Sequence, residues 1–274
     1  MDGCSADALR WTASAAHLAS LMRNGTGATD KARHHSYEYV YHAHLAPLAL
    51  SRCQCLSAPT SRECPAIRFL EIGLGCGMPW GVGASVGLWH SLFRPPLKLD
   101  LHVMEFDKRC SRAWASSGDN QARATMHIGS QSSIPDLDRL YAAAGSEPFD
   151  ILTDDGSHRP ADQLVTLLHT LGQRRVRAGG VYIVEDINLS CVSWRGHECL
   201  LDRYGNTTLF GKVVEWQRQL LQGYAPLPGV RHINFYQESV ALPIHADTAT
   251  GATRRQPKAP REPSGRRDGR GRGG

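Results

Sequence analysis

The chain has 274 residues, 41% of them hydrophobic, and a formal charge of +5. That length supports one sizeable buried core with appendages. No run approaches the roughly 18 uninterrupted apolar residues that a membrane span requires, and the start, MDGCSADALRW, lacks the basic-then-apolar grammar of a secretory signal, so a cytoplasmic chain without a membrane span is expected.

The positive charge has one location. Residues 254–274 carry eight Lys or Arg against two acids, and the body without them is close to neutral. Rich in Gly, Pro and Arg, residues 246–274 cannot bury enough apolar surface to offset their ordering entropy. They read as a disordered basic tail, either solubilising or in weak contact with RNA or another anionic surface. The eight cysteines are scattered and fit reduced thiols better than a disulfide framework. Cys53, Cys55 and Cys64 form a C-x-C-x8-C cluster without a fourth Cys or His at a usual distance, which argues against structural zinc. Sequons at Asn24, Asn188 and Asn206 matter only in a secreted chain and are read as chance.

Residues 1–65 are irregular and read as an N-terminal flank or lid, with helices predicted over 6–23 and 37–50. His34, His42 and His44 crowd this segment without a convincing ligand spacing. From residue 66 to 245 the pattern becomes regular. Short apolar runs at 67–72, 99–105, 124–128, 149–154 and 181–185 suit buried parallel strands. Between and after them, helical periods cover 83–92, 108–117, 134–144, 160–171 and 208–222. Residues 231–244 then read as two strands joined by a tight turn. The expected fold is therefore α/β and Rossmann-like, a mostly parallel sheet closed by a C-terminal antiparallel hairpin.

The first strand runs into a loop, Arg68-Phe-Leu-Glu-Ile-Gly-Leu-Gly-Cys-Gly, with Gly73, Gly75 and Gly77 at alternate positions. Glycines let backbone approach a ligand closely, and the following helix start offers free N–H groups. The second strand ends Val103-Met-Glu-Phe-Asp, where an acid can accept hydrogen bonds from ribose hydroxyls; Glu105 is the first candidate and Asp107 the second. The fourth strand ends Ile151-Leu-Thr-Asp-Asp-Gly-Ser-His and the fifth Val181-Tyr-Ile-Val-Glu-Asp. In a parallel sheet both ends face one crevice, so Asp154, Asp155, His158, Glu185 and Asp186 converge. Carboxylates that close repel unless a positive charge sits among them, and oxygen donors favour a hard divalent ion such as Mg²⁺.

The L-E-I-G-x-G-x-G segment resembles motif I of class I S-adenosylmethionine-dependent methyltransferases, which implies a seven-stranded sheet, close approach of the cofactor to the glycines and anchoring of its ammonium by Glu71. The loop His127-Ile-Gly-Ser-Gln-Ser stands where that family contacts adenine, making Ser130 and Gln131 candidates. D-D-G-S-H followed by G-G-x-Y-x-x-E-D resembles the metal-dependent macrolide-sugar O-methyltransferases of the mycinamicin and macrocin type, and Thr29-Asp-Lys followed by His35-Ser-Tyr resembles the segment that precedes motif I in that group. The resemblance spans residues 27–243. It implies Asp155, Glu185 and Asp186 as metal ligands and His158, beside Asp155, as the general base that forms an attacking alkoxide; Asp154 is a supporting residue near the cofactor. The implied acceptor is a hydroxyl on a small molecule, a sugar or other polyol, bound by the N-terminal flank and residues 188–206, where Trp194 and Tyr204 could stack on a ring.

Other readings stay open at this point. A nicotinamide-dependent oxidoreductase is disfavoured by the G-x-G-x-G spacing, by Glu71 and by the hairpin. A non-catalytic binding protein could retain the fold. A nucleic-acid methyltransferase is suggested by the basic tail, although Asp154-Asp-Gly-Ser-His is not the N/D-P-P-Y/F motif of amino-directed enzymes.

Overall fold

The computed structural model of the chain describes residues 4, 9–24, 28–58, 64–192 and 198–246. The basic tail beyond 246 and Trp194 therefore lie outside the described residues. No helix among the described residues is long and apolar enough to cross a membrane.

Seven strands form one sheet: β1 Ile67–Ile72, β2 Leu99–Glu105, β3 Thr125–Ile128, β4 Phe149–Asp154, β5 Val176–Val184, β6 Asn234–Tyr236 and β7 Ser239–Pro243, in the order β3-β2-β1-β4-β5-β7-β6. Strands β1 to β5 are parallel, and β7 runs antiparallel to both β5 and β6. The hairpin thus closes the sheet as its sequence predicts. β1 and β4 are buried almost throughout because helices cover both faces. β5 begins five residues before the expected start. Gly179 and Gly180 interrupt its apolar run, and Gly180 is needed there, since a Cβ would lie 2.5 Å from the Asp150 carbonyl oxygen.

The helices are α1 Ala15–Asn24, α2 Glu38–Ser57, α3 Ala84–Leu92, α4 Lys108–Ala115, α5 Gly118–Arg123, α6 Ile134–Ala144, α7 Pro160–Gly172 and α8 Leu209–Leu221. The described part of the first predicted helix, from residue 9, is a 3-10 turn at Arg10–Ala13 followed by α1, while α2 runs seven residues past its predicted end with Pro47 inside it. Helices α6, α7 and α8 cover one face of the sheet around Leu137, Leu167 and Val213. The other face holds α1, α2 and α3, so that Leu18, Tyr41, Leu45 and Trp89 share one core with Phe69, Val103, Ile151 and Ile183. The N-terminal flank is thereby a layer of the fold.

The cysteine expectation is overturned. All eight pair, as Cys4–Cys53, Cys55–Cys64, Cys76–Cys110 and Cys191–Cys199, leaving no free thiol and nothing in the Cys53, Cys55 and Cys64 cluster to hold zinc. Linear spacing conceals this because two of the bridges span 49 and 34 residues and are closed only by the tertiary fold. Cys53 and Cys55, two apart on a helix, point to different sides and join different partners.

Because Leu45 on α2 is fully buried in the core shared with the sheet, Leu45→Ala should lower the unfolding free energy by about 2–5 kcal/mol in urea denaturation, within a single transition. A flank that docks as a detachable lid would give a loss under about 1 kcal/mol.

Candidate functional site

At the carboxyl ends of the parallel strands the chain encloses a cavity of about 780 Å³. One wall is the loop after β1. Gly73 has φ +106°, and a Cβ there would stand 2.1 Å from the Asp155 carbonyl oxygen, so only glycine lets this loop cross the end of β4. The Leu74 N–H donates to Glu105 Oε2 at 2.9 Å, and the Asp107 N–H donates to Glu105 Oε1 at 2.8 Å. Glu105 therefore locks the glycine loop to the end of β2 while its carboxylate still lines the cavity. Asp107 is engaged elsewhere, where its Oδ1 caps α4 by accepting from the Arg109 and Cys110 N–H groups.

Gln131, after β3, is buried. Its Nε2 donates to both oxygens of Asp154, at 2.9 and 3.1 Å, and its Oε1 accepts from the Ser157 N–H at 2.6 Å. It fastens the loop after β4 from behind. Asp154 is fully buried and also accepts from the Tyr182 hydroxyl at 3.2 Å; burial raises its pKa to about 6, against the opposing effect of the Gln131 amide.

The acids divide into two layers. In the inner layer, Lys31 Nζ lies 2.7 Å from the Glu185 carboxylate, 2.8 Å from Asp155 Oδ2 and 4.0 Å from Glu71 Oε1. Lys31 is 2% exposed. Burial alone would lower its pKa, but Asp155 and Glu185 hold it well above the ordinary lysine value, so it stays an ammonium. Tyr41 donates its hydroxyl to Glu185, and Ser85 and Trp89 donate to Glu71 Oε2 at 2.8 and 2.9 Å. Burial lifts Glu71 to about 7, partly offset by Lys31.

The outer layer faces the cavity. Asp155, His158 and Asp186 each offer one ligand atom within 4.8 Å of the others. His158 Nε2 is 3.8 Å from Asp155 Oδ1, and its Nδ1 is 3.5 Å from Asp186 Oδ2 and has no hydrogen-bond partner. His158 and Asp186 both have φ +53°, a left-handed conformation that costs a non-glycine residue about 1–2 kcal/mol. The Tyr37 hydroxyl donates to Asp186 Oδ1 at 2.9 Å and accepts from the Asp186 N–H at 3.0 Å, fixing that turn. Two carboxylate oxygens and one imidazole nitrogen at this spacing fit a divalent cation.

Of the residues singled out from sequence, Gly73, Gly75, Glu105, Ser130, Gln131, Asp155, His158 and Asp186 line this cavity, whereas Glu71, Gly77, Asp107, Asp154 and Glu185 do not. Glu185 adjoins the cluster but is taken by Lys31 and Tyr41. Tyr204 is also absent from the lining; Met78, Trp80 and Phe106 are there instead, with Phe106 77% exposed. Sequence reasoning gave no role to Lys31, Tyr37 or Tyr41. The available signal was the Thr29-Asp-Lys and His35-Ser-Tyr segment itself, a lysine and a tyrosine in an otherwise irregular flank.

No family model matches the chain. It is 31% identical over 175 residues to an 8-demethyl-8-alpha-L-rhamnosyl tetracenomycin-C 2'-O-methyltransferase of Streptomyces olivaceus, across 63% of this chain and 38% of that protein. It is 34% identical over 123 residues to a demethylmacrocin O-methyltransferase of Streptomyces fradiae, across 44% of this chain and 27% of that protein. The chain thus spans well under half the length of these curated relatives. Among solved structures it is similar to the MycE methyltransferase of the mycinamycin biosynthetic pathway in complex with Mg and SAH, with a TM-score of 0.58 and 23% identity over 80% of this chain and 52% of that one. The fold is the Rossmann-like methyltransferase fold.

Removing the ammonium of Lys31 takes from the buried Glu71 and Glu185 the charge that opposes the rise burial imposes on both of their pKa values, and takes from Glu185 its hydrogen-bond donor. Lys31→Met should therefore lower the unfolding free energy by about 3–5 kcal/mol at neutral pH, measured by urea denaturation. A loss under about 1 kcal/mol would show that these acids do not depend on Lys31.

Proposed function

We propose that the chain transfers a methyl group from S-adenosylmethionine to a hydroxyl of a small molecule, a sugar or another polyol, with a divalent metal ion, Mg²⁺ by donor type, held at Asp155 and Asp186. The observation that carries this reading is the juxtaposition, across one cavity, of the Gly73 to Glu105 wall with the Asp155, His158 and Asp186 cluster. The names of the curated relatives, both O-methyltransferases and one of them of a rhamnosyl tetracenomycin, support the reaction type and acceptor class. The Mg and SAH held by the similar MycE methyltransferase support the pair of cofactors.

In this reading Glu105 takes the ribose hydroxyls with the lone pairs its two backbone donors leave free, and the glycine loop admits the amino-acid end of the cofactor. Ser130 sits at the adenine end. Glu71 and Asp154 act from behind the wall, through Ser85 and Gln131, and Glu185 serves to keep Lys31 in place. When bound, the metal ion would make an acceptor hydroxyl more acidic, and the cofactor would supply an electrophilic methyl on its sulfonium. His158 accepts the hydroxyl proton, and Asp155 and Asp186 on either side stabilise the imidazolium. Trp80, Met78 and Phe106 offer an apolar rim suited to the face of a sugar ring.

Calorimetric titration with S-adenosylhomocysteine, with and without Mg²⁺, tests the cofactor part: micromolar binding is expected, and no binding in either condition refutes it. His158→Ala should lower kcat on an accepted polyol by about 10²–10⁴-fold with S-adenosylhomocysteine affinity nearly unchanged. An unaltered kcat would remove His158 from the chemistry.

A further inference from the structure

We infer that the Cys76–Cys110 cystine is a positioning element of the cofactor site, and that the site binds the adenosyl cofactor in the oxidised chain and releases it on reduction. This rests on the proposed role of the glycine loop in cofactor binding. Cys76 lies inside the Gly-x-Gly-x-Gly loop, between Gly75 at φ +75° and Gly77 at φ +82°, and lines the cavity. Its partner is in the first turn of α4, directly after the β2 end that carries Glu105. The bridge therefore joins the two cofactor-facing segments of the wall, which are 34 residues apart in sequence.

The loop has few other restraints. Residues 75–81 contain three glycines with positive φ, and a Cβ on Gly77 or Gly81 would meet nothing within 4 Å. Its noncovalent ties to the rest of the fold are few: the Leu74 N–H on Glu105 and the Trp114 ring against Gly83 at the two ends, where a Cβ would stand 2.4 Å from Trp114 Nε1, and between them the Trp80 ring against His34, 5.1 Å between centroids. Between these ends the cystine is the one covalent tie to α4. A glycine-rich segment released from it gains conformations, and an apparent dissociation constant rises in inverse proportion to the fraction of time the binding shape is held. A loop that keeps this shape about a tenth of the time binds about tenfold more weakly.

The bridge is also accessible. Cys76 and Cys110 are both partly exposed, as are Cys191 and Cys199, whereas each N-terminal bridge has one buried cysteine, Cys53 or Cys64; Cys76 also lines the cavity, where a small dithiol would meet its sulfur. A dithiol such as dithiothreitol delivers two electrons and two protons, converting the S–S bond into two thiols as the reductant closes into its own cyclic disulfide. Pairing of all eight cysteines is the usage of oxidising surroundings, in which the bridge persists and the site stays formed.

The test is the affinity for S-adenosylhomocysteine measured on the full chain in oxidised and dithiothreitol-treated form, with thiol counting and peptide mapping to verify which bridges have opened. We expect the Kd to rise about tenfold once Cys76–Cys110 opens and to recover on reoxidation. Cys110→Ser should show the weakened Kd from the start and no further response to reductant, with its circular dichroism unchanged. Cys55→Ser with Cys64→Ser, which removes a remote bridge, should respond to reductant as the parent does. A Kd that is equal before and after verified opening overturns the inference, even if the melting temperature falls, since that would make the bridge a structural brace only. Failure of the oxidised chain to bind S-adenosylhomocysteine at all overturns the functional reading and this inference together.

Discussion

The ammonium of Lys31 is the constraint on which the rest of the site depends. Three carboxylates, those of Glu71, Asp155 and Glu185, come within 4.0 Å of it, and two of these acids are buried beneath the sheet ends. Uncompensated charges there would cost several kcal/mol each, so without Lys31 the acids would take up protons or the strand ends would move apart. Lys31 comes from a 3-10 turn, Asp30–Ala32, that Thr29 caps by accepting from the Lys31 N–H. One lysine therefore couples the N-terminal flank to the ends of β1, β4 and β5, and Tyr37 and Tyr41 extend that coupling to Asp186 and Glu185. The flank belongs to the site because the acids need its charge.

The two acid pairs at the ends of β4 and β5 follow one rule. Asp154 and Glu185 are buried behind the wall and satisfied by Gln131, Tyr182, Lys31 and Tyr41, while Asp155 and Asp186 are half-buried and reach the cavity. Successive residues at a strand end point to opposite sides, so an acidic doublet delivers one carboxylate to the framework and one to the solvent side. The left-handed turns at His158 and Asp186 then aim the outward groups at each other. Backbone strain of this kind persists where neighbours over-determine it, and both Tyr37 contacts to Asp186 do so.

Much of the architecture is legible in the sequence for a simple reason. Strands covered by helices on both faces must be short apolar runs, and those runs are separated by helical periods and end in glycine or acid. The start of β5 escapes this rule because Gly179 and Gly180 break the run, Gly180 being demanded by its close pass over Asp150. The site is legible to the level of the loops and not below it. The motif that holds Glu185 and Asp186 is silent on which of the two faces the cavity, and Asp107, a reasonable ribose candidate by position, is engaged as a helix cap. Lys31 cannot be singled out by charge alone, since its role exists only once three distant strands bring their acids to it. The cystines are hidden for the same reason: a pairing across 49 or 34 residues is a property of the tertiary fold.

The two walls of the cavity are secured by different physics, and this has consequences for how each can fail. The acid wall is held by charge and hydrogen bonds to buried partners, an arrangement that is strong while Lys31 stays protonated and every lone pair is met. The glycine wall cannot be held in that way, because residues that leave room for a ligand bring no side chains to pack or to bond. Its order has to be imported from outside the loop, through Glu105 at the end of β2, Trp114 and the Cys76–Cys110 bridge on α4, and His34 against Trp80. A loop that must stay bare to bind is thus the part of the site with the most to gain from a covalent tie, whereas the acid wall, already crowded with partners, has no position where one is needed.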